Sequence, residues 1–111
     1  MTEPVAMIAV DWGTTNRRAW ALGRDGKVLG ERDDGEGLLG VKLRDFARSF
    51  ATFAAPWLGG AEPLPVLMCG MVGSKLGWVE APYIEAPVDL GSLARHLHPV
   101  PFDGNARIAI V

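Results

Sequence analysis

The sequence has 111 residues, which is enough for one compact domain with a single hydrophobic core. Hydrophobic residues make up 49% of it and charged residues 22%, a balance that is typical of a folded chain and excludes a disordered one. The net charge of −2 provides no basic field for nucleic acid or for an anionic membrane surface, so we expect neither as a partner.

The first third of the chain predicts three strands. Residues 4–12 form a nearly continuous apolar run, which is typical of a strand buried on both faces, and the turn-forming residues 13–16 end it. Residues 17–23 alternate, with Arg18, Trp20 and Leu22 on one side, and predict a second strand. The Asp-Gly pair that follows is a hairpin signal, and it leads to a third strand near residues 27–33. The chain is therefore expected to open with an antiparallel meander.

The middle of the chain predicts a long amphipathic helix followed by a buried strand. Apolar residues recur at helical spacing over roughly 40–55, and Pro56 is expected to end that helix. Its aromatic face is interpreted as core, with a contact between two copies in a homo-oligomer as the alternative. Residues 66–69 are apolar and predict a fourth strand.

The last part of the chain predicts a functional loop, a short helix and a final strand. Residues 70–88 are rich in glycine and proline and lack periodicity, which is typical of a functional loop. Residues 90–97 suit a short helix with Asp89 as its N-cap, which Pro99 and Pro101 are expected to break. Residues 106–111 suit a strand. The order β-β-β-α-β-α-β predicts an α/β fold with a mixed sheet. Because the last strand is followed by no covering helix, we expect an incomplete domain from a longer polypeptide.

The segment from Asp11 to Arg18 contains the groups that phosphoryl transfer requires. Asp11 follows six apolar residues at the end of the first strand, where a carboxylate without a partner is costly, so it suits a Mg²⁺ site. Gly13 would let a phosphate approach the backbone, because no Cβ intrudes. Arg18 can add a charge-assisted contact to a phosphate oxygen. The hydroxyl, amide and backbone N–H groups of the turn would form a concave anion site: Thr14, Thr15 and Asn16. The alternative is an ordinary hairpin that is rich in turn-forming residues.

The loop after the fourth strand is a second candidate site. Ligands in sheets of this kind bind beyond the carboxyl ends of strands. We expect the fourth strand to lie parallel to the first, so this loop and Asp11 should share one edge. The candidate substrate-binding residues are Gly70, Met71, Ser74, Lys75, Trp78 and Tyr83. Trp78 would suit core packing as well as it would suit a pocket wall.

Two blocks of the sequence resemble a known family. Asp-x-Gly-Thr-Thr-x-x-Arg at 11–18 resembles the first phosphate motif of the sugar kinase, heat-shock chaperone and actin superfamily, and the element order is similar to its ribonuclease H-like core. Asp-Trp-Gly-Thr-Thr-Asn-Arg-Arg-Ala-Trp at 11–20, with Gly-Met-Val-Gly-Ser, Gly-Trp and Ala-Pro-Tyr in 70–83, resembles the 2-keto-3-deoxygalactonate kinase family. The resemblance covers residues 8–111.

This resemblance implies an actin-like ATPase domain that uses ATP and Mg²⁺ to phosphorylate 2-dehydro-3-deoxy-D-galactonate to its 6-phosphate in galactonate catabolism. Asp11 would manage the Mg²⁺, while the 13–16 hairpin and Arg18 would hold phosphate and the 70–83 loop would help to hold the sugar acid. Members of this family are much longer. Residues 1–111 would therefore be the N-terminal subdomain of a two-domain kinase, inactive by itself, whose catalytic base and remaining chain lie beyond Val111.

Two other functions would use the same core. A non-enzymatic, actin-like nucleotide-binding module would keep the phosphate hairpin and lose the sugar pocket. A ribonuclease H-like nuclease would need further carboxylates beside Asp11, whereas the fourth strand ends in Cys69-Gly70-Met71. A single cysteine, the absence of a basic stretch near Met1 and the lack of any long apolar run together predict a cytoplasmic protein.

Overall fold

The structure is a computed structural model that describes residues 3–81 and 97–111. Six strands form one mixed sheet in the order β3-β2-β1-β4-β6-β5. The strands are β1 (Met7–Trp12), β2 (Arg17–Leu22), β3 (Val28–Asp34), β4 (Leu64–Cys69), β5 (His98–Val100) and β6 (Ala106–Ile110). The described helix α1 spans Phe46–Ala54, between β3 and β4.

The strand directions agree with the predicted mixed sheet. β1, β2 and β3 form an antiparallel meander, and β1 lies parallel to β4, with Asp11 opposite Cys69. β4 lies parallel to β6, and β5 joins β6 antiparallel. The carboxyl ends of β1 and β4 therefore lie side by side at the same end of the strands.

One face of the sheet forms the hydrophobic core. Alternate residues of β1 point into it, and Ile8, Val10 and Trp12 are almost fully buried there. Phe46 and Phe50 of α1 pack in the same cluster. Burial of this apolar face is the main stabilising contribution to such a fold.

The other face of the sheet is half-exposed, so the expectation that β1 is buried on both faces is wrong. The β1 residues on this open face alternate with the buried ones and are only partly buried or exposed: Met7, Ala9 and Asp11. On β2 the same face carries Arg18, Trp20 and Leu22, as the alternation predicted.

Helix α1 is shorter than the sequence pattern indicated. It begins after Asp45, whose side chain accepts a hydrogen bond from the Arg48 amide as an N-cap. The helix does not extend back to residue 40, because Leu43 and Arg44 have left-handed φ angles of 55° and 54°. As expected, the α-helical geometry ends just before Pro56, and a 3-10 turn over Ala55–Trp57 follows.

The C-terminal part contains a strand that the sequence pattern did not indicate. β5 includes Pro99, which was expected only to break a helix. A proline is tolerated here because β5 is the edge strand of the sheet. The helix expected over 90–97 lies almost entirely outside the described residues.

Candidate phosphate-binding and sugar-binding sites

The hairpin between β1 and β2 forms a polar cleft of about 380 Å³. The Gly13 amide donates to the Asn16 carbonyl at 2.9 Å, which closes the turn and leaves residues 14–16 exposed. All six residues that the sequence indicated for phosphate binding line this cleft: Asp11, Gly13, Thr14, Thr15, Asn16 and Arg18. Arg17, Asp33 and Asp34 line it as well.

Charges of alternating sign cross the open face beside this cleft. Asp11 is the cross-strand partner of Arg18, and Arg18 is the cross-strand partner of Asp33. All three side chains are exposed. Opposite charges at paired positions attract, so the two carboxylates favour a guanidinium group held between them. Asp33 is an addition to the site that the sequence analysis did not single out.

Arg17 points to the other face of the sheet and has a different role from Arg18. Its side chain is only 2% exposed, and its Nη2 and Nε atoms donate to the two carboxylate oxygens of Asp34 at 2.7 Å and 3.2 Å. Its Nη1 atom donates to Ser49 Oγ at 2.8 Å, and the guanidinium lies 4.0 Å from the centre of the Phe53 ring. A buried guanidinium needs this full set of partners, because desolvation of the charge is costly.

The electrostatics of Asp34 follow from this ion pair. Burial by itself would raise the pKa of Asp34, but the hydrogen bond and charge of Arg17 and the Glu36 amide outweigh it, so the pKa lies below its usual value. Asp34 is therefore an ionised partner that fixes Arg17 between the sheet and α1.

Gly70 follows β4 directly and packs against the end of β1, where the hairpin begins. Its φ of 97° and ψ of −161° form a backbone conformation that is essentially restricted to glycine. A Cβ atom added there would lie 2.9 Å from Asp11 Oδ1 and 2.8 Å from the Trp12 carbonyl oxygen. The backbone after β4 thus packs directly against the carboxylate that was singled out for Mg²⁺.

Cys69 lies in register with Asp11 on the neighbouring strand and is exposed. Burial of part of the side chain and the negative charge of Asp11 together raise the pKa of the thiol. The group at this position is therefore a neutral thiol near neutral pH.

The loop that follows Gly70 lines a second, half-open cavity of about 440 Å³. Ser74 Oγ donates to the Met71 carbonyl at 2.6 Å, and Arg44 donates to the carbonyls of Leu76 and Gly77 at 3.0 Å and 2.9 Å. The lining residues are Met71, Gly73, Ser74, Lys75, Leu76, Glu80 and Ala81. Met71, Ser74 and Lys75 were indicated by the sequence, whereas Tyr83 lies outside the described residues.

Trp78 lies beneath this loop in an aromatic cluster. Its ring centre is 6.3 Å from that of Trp12, 6.4 Å from that of Phe46 and 6.1 Å from that of Phe102. It packs against the hydrophobic core, and it is not among the residues that line the cavity. In the described structure Trp78 therefore supports the loop from below and contributes no wall to the cavity.

The groups at the hairpin suit a metal ion that is held partly by the protein and partly by phosphate oxygens. Among residues 3–81 and 97–111, no group of three or more His, Cys, Asp or Glu side chains is arranged to hold a metal ion. Mg²⁺ in nucleotide sites typically keeps several waters and takes one or two carboxylates plus phosphate oxygens. The carboxylate of Asp11, at the end of β1 beside the turn, fits that mode of binding. No helix in the same described part has the length and apolar character needed to cross a membrane.

Comparison with known proteins places this site in context. The crystal structure of a protein from Sinorhizobium meliloti, described as a 2-dehydro-3-deoxygalactonokinase, superposes with a TM-score of 0.79 at 38% identity. The match covers 94% of this chain and 33% of that one. The mixed α/β fold of this chain is thus shared with about a third of that kinase-like structure.

The family assignment is direct. The model of the 2-keto-3-deoxy-galactonokinase family matches residues 11–111, and the chain belongs to that family. A 2-dehydro-3-deoxygalactonokinase of Rhizobium meliloti (strain 1021) is 39% identical over 101 residues, which are 91% of this chain and 33% of the relative. The 2-dehydro-3-deoxygalactonokinase of Escherichia coli (strain K12) is 38% identical over 93 residues, 84% of this chain and 31% of the relative. The chain spans about a third of the length of these relatives.

Proposed function

We propose that this chain is the N-terminal, phosphate-binding part of a cytoplasmic kinase that transfers the γ-phosphoryl group of ATP to 2-dehydro-3-deoxy-D-galactonate, giving the 6-phosphate. The observation that carries the proposal is the cleft at the β1–β2 hairpin, which collects a carboxylate, a glycine, hydroxyl groups and an arginine. Catalysis of phosphoryl transfer depends on positioning and on neutralisation of charge, and these groups supply both.

The sheet supports a ribonuclease H-like, actin-like assignment. In that arrangement an antiparallel meander is continued by parallel strands on the side of its first strand. The order β3-β2-β1-β4-β6, with β1 parallel to β4 and β4 parallel to β6, agrees with it. Residues 1–111 would then form one N-terminal subdomain, with the remaining chain of the kinase as its partner.

Each site residue has a proposed role. Asp11 holds Mg²⁺, which neutralises phosphate charge when it is bound with ATP. The backbone and side chains of Thr14, Thr15 and Asn16 donate to phosphate oxygens, and Arg18 adds a charge-assisted contact. Gly13 leaves room for the phosphates at the turn.

The second cavity is the proposed position of part of the sugar acid. Lys75 and Ser74 offer a positive charge and a hydroxyl group, which suit the carboxylate and hydroxyls of the substrate. Gly70 lies between this cavity and Asp11, so it joins the two halves of the site. A carboxylate base from the remaining chain would take the proton of the reacting hydroxyl.

The test uses the complete kinase polypeptide in a coupled ATP-consumption assay with 2-dehydro-3-deoxy-D-galactonate. Asp11→Asn is expected to lower kcat by at least about 100-fold, because it removes the carboxylate that holds Mg²⁺. Asp25→Asn is the matched control, since Asp25 lies in the β2–β3 turn, at the end of the strands opposite to Asp11. Failure of the wild type to consume ATP with this sugar acid would refute the proposed substrate. Full activity of Asp11→Asn would refute the role of Asp11.

A further inference from the structure

A short segment after β3 lies against the phosphate hairpin. We name residues 36–39 the brace. The Leu38 amide donates to the Gly13 carbonyl at 3.0 Å, and the Leu39 amide donates to the Thr14 carbonyl at 3.2 Å. The brace thus satisfies two backbone carbonyls of the turn and holds it from the side of α1.

The brace is in turn fixed to the interior. Trp12 Nε1 donates to the Glu36 carbonyl at 3.2 Å. The Glu36 carboxylate accepts hydrogen bonds from Arg17 Nη2 at 3.3 Å and from Ser49 Oγ. Leu38 is almost fully buried in the core cluster. Because hydrogen bonds hold Glu36 and the core holds Leu38, the brace has a fixed position. The hairpin that it contacts is therefore positioned relative to the core.

Gly37 is the point of closest approach. A Cβ atom built on Gly37 would come closer than 3.0 Å to the carbonyl group of Thr14 and to the Thr15 nitrogen, a separation that real Cβ atoms essentially never show. These are backbone atoms, which cannot rotate away as a flexible side chain could. The φ of −72° and ψ of −170° at Gly37 are extended backbone that any residue adopts. Glycine is therefore required here for space and not for its conformational freedom.

We propose that Gly37 is a positioning residue for phosphate binding: its missing side chain lets the brace seat on the hairpin and sets the backbone of Thr14 and Thr15. A side chain at this position must either displace that backbone or break the hydrogen bonds from Leu38 and Leu39. Anion recognition by backbone N–H groups depends on positions held within a fraction of an ångström. The inference rests on the proposed function, because it assumes that the hairpin binds the phosphates of ATP.

The test compares two glycines of the same loop in the complete kinase. Gly37→Ala is expected to raise the Kd for Mg-ADP and the KM for ATP by about tenfold or more, with the KM for the sugar acid changed by less than about twofold. Gly35→Ala is the matched control, because nothing lies within 4 Å of a Cβ atom at Gly35. Gly35→Ala should leave all three constants at their wild-type values. Calorimetry gives the Kd, and steady-state kinetics give the two KM values.

Two outcomes would overturn the proposal. One is a folded Gly37→Ala protein, with a wild-type melting temperature, that binds Mg-ADP as tightly as Gly35→Ala does. The other is an equal loss of affinity for ATP and for the sugar acid, which would indicate a general structural defect.

A second variant covers the case in which Gly37→Ala does not fold. Glu36→Ala leaves the space at Gly37 unchanged and removes the hydrogen bonds from Arg17 and Ser49 to the brace. It should therefore speed hydrogen exchange at the Leu38 and Leu39 amides. It should also raise the Kd for Mg-ADP roughly two- to five-fold. Unchanged binding of Mg-ADP together with faster exchange would overturn the proposal. If the wild type itself binds no nucleotide, the proposed function fails. The claim that Gly37 positions the hairpin is then tested by hydrogen exchange alone. The Leu38 and Leu39 amides must exchange faster in Gly37→Ala than in Gly35→Ala.

Discussion

The guanidinium of Arg17 on β2 donates hydrogen bonds to both carboxylate oxygens of Asp34 on β3, with Nη2 2.7 Å from Oδ2 and Nε 3.2 Å from Oδ1. Arg17 is almost fully buried, while the side chain of Asp34 is 38% exposed. The pair therefore stands at the boundary between the core and the solvent. Because Arg17 also bonds to Ser49 on α1, the pair connects the meander to the helix.

Removal of Asp34 should destabilise the fold. Asp34→Ala leaves a buried guanidinium without its main counter-charge, and we expect the free energy of unfolding to fall by about 1–3 kcal/mol, less than for a fully buried pair because Asp34 is partly solvated. Asp33→Ala, at the exposed neighbouring position, should change it by less than about 0.5 kcal/mol. Urea denaturation followed by tryptophan fluorescence measures both. Equal effects of the two variants would contradict the structure.

The same ion pair should make stability depend on pH in the acid range. Because the folded protein holds the pKa of Asp34 below its unfolded value, the stabilisation is complete above the unfolded pKa and is lost as the pH falls through the folded pKa. The difference in unfolding free energy between the wild type and Asp34→Asn should thus be largest near neutral pH and shrink below about pH 4. A difference that grows on acidification would refute this account.

Cys69 should react slowly with alkylating reagents, and Asp11 should be part of the reason. Burial and the charge of Asp11 raise the pKa of the thiol, and the thiolate is the reactive form. Asp11→Asn is therefore expected to shift the pH profile of iodoacetamide alkylation to lower pH, while Asp25→Asn leaves it in place. Cys69 is the single cysteine of the 111 residues, so peptide mass spectrometry can follow it without ambiguity. An unchanged profile in Asp11→Asn would show that the two groups do not interact.

Gly70 should not tolerate alanine. Its backbone conformation is essentially limited to glycine, and a Cβ atom would contact Asp11 Oδ1 and the Trp12 carbonyl oxygen at less than 3.0 Å. We expect Gly70→Ala to lower the free energy of unfolding by about 2–4 kcal/mol. Gly59→Ala is the control, because nothing lies within 4 Å of a Cβ atom there. Similar stabilities for the two variants in urea denaturation would be evidence against the described contact.

Leu43 offers the opposite case, a position where substitution should stabilise. It is fully exposed and has a left-handed φ of 55°, so its side chain gains nothing from burial and its backbone is strained. Asn adopts this conformation more easily, and Leu43→Asn should raise the free energy of unfolding by about 0.5 kcal/mol. Leu39 is also mostly exposed but has no left-handed φ, so Leu39→Asn should not stabilise. Thermal melting of the two variants side by side separates the effect of the strained backbone at Leu43 from the effect of a more polar side chain in solvent.

The sequence predicted the elements whose causes are local. The apolar run before Asp11, the polar turn and the alternation after it all lie within a few residues of one another, so they indicated the hairpin and the face on which Arg18 lies. The parallel pairing of β1 and β4 was also expected. Within the antiparallel meander β3 runs in the same direction as β1, and the crossover through α1 brings β4 into that direction as well. The candidate phosphate-binding residues came from this same local pattern.

The remaining features depend on contacts between distant parts of the chain. Arg17 resembles Arg18 in sequence, and its burial follows from Asp34 and Ser49, which lie 17 and 32 positions away. The importance of Gly37 depends on its packing against Thr14, and no local signal distinguishes it from Gly35. The late start of α1 depends on the backbone at Leu43 and Arg44, where helical periodicity alone indicated a continuous helix.

The edge-to-face pair of Trp12 and Trp78, with ring planes at 74°, links a core strand to the loop that lines the second cavity. Two indole rings held at a fixed angle and 6.3 Å apart are close enough for their electronic transitions to couple, so we expect a circular dichroism band that neither ring would give alone. We expect that band to weaken if the loop moves away from the core while the strands stay intact. The pair would then report the position of the loop without an attached dye.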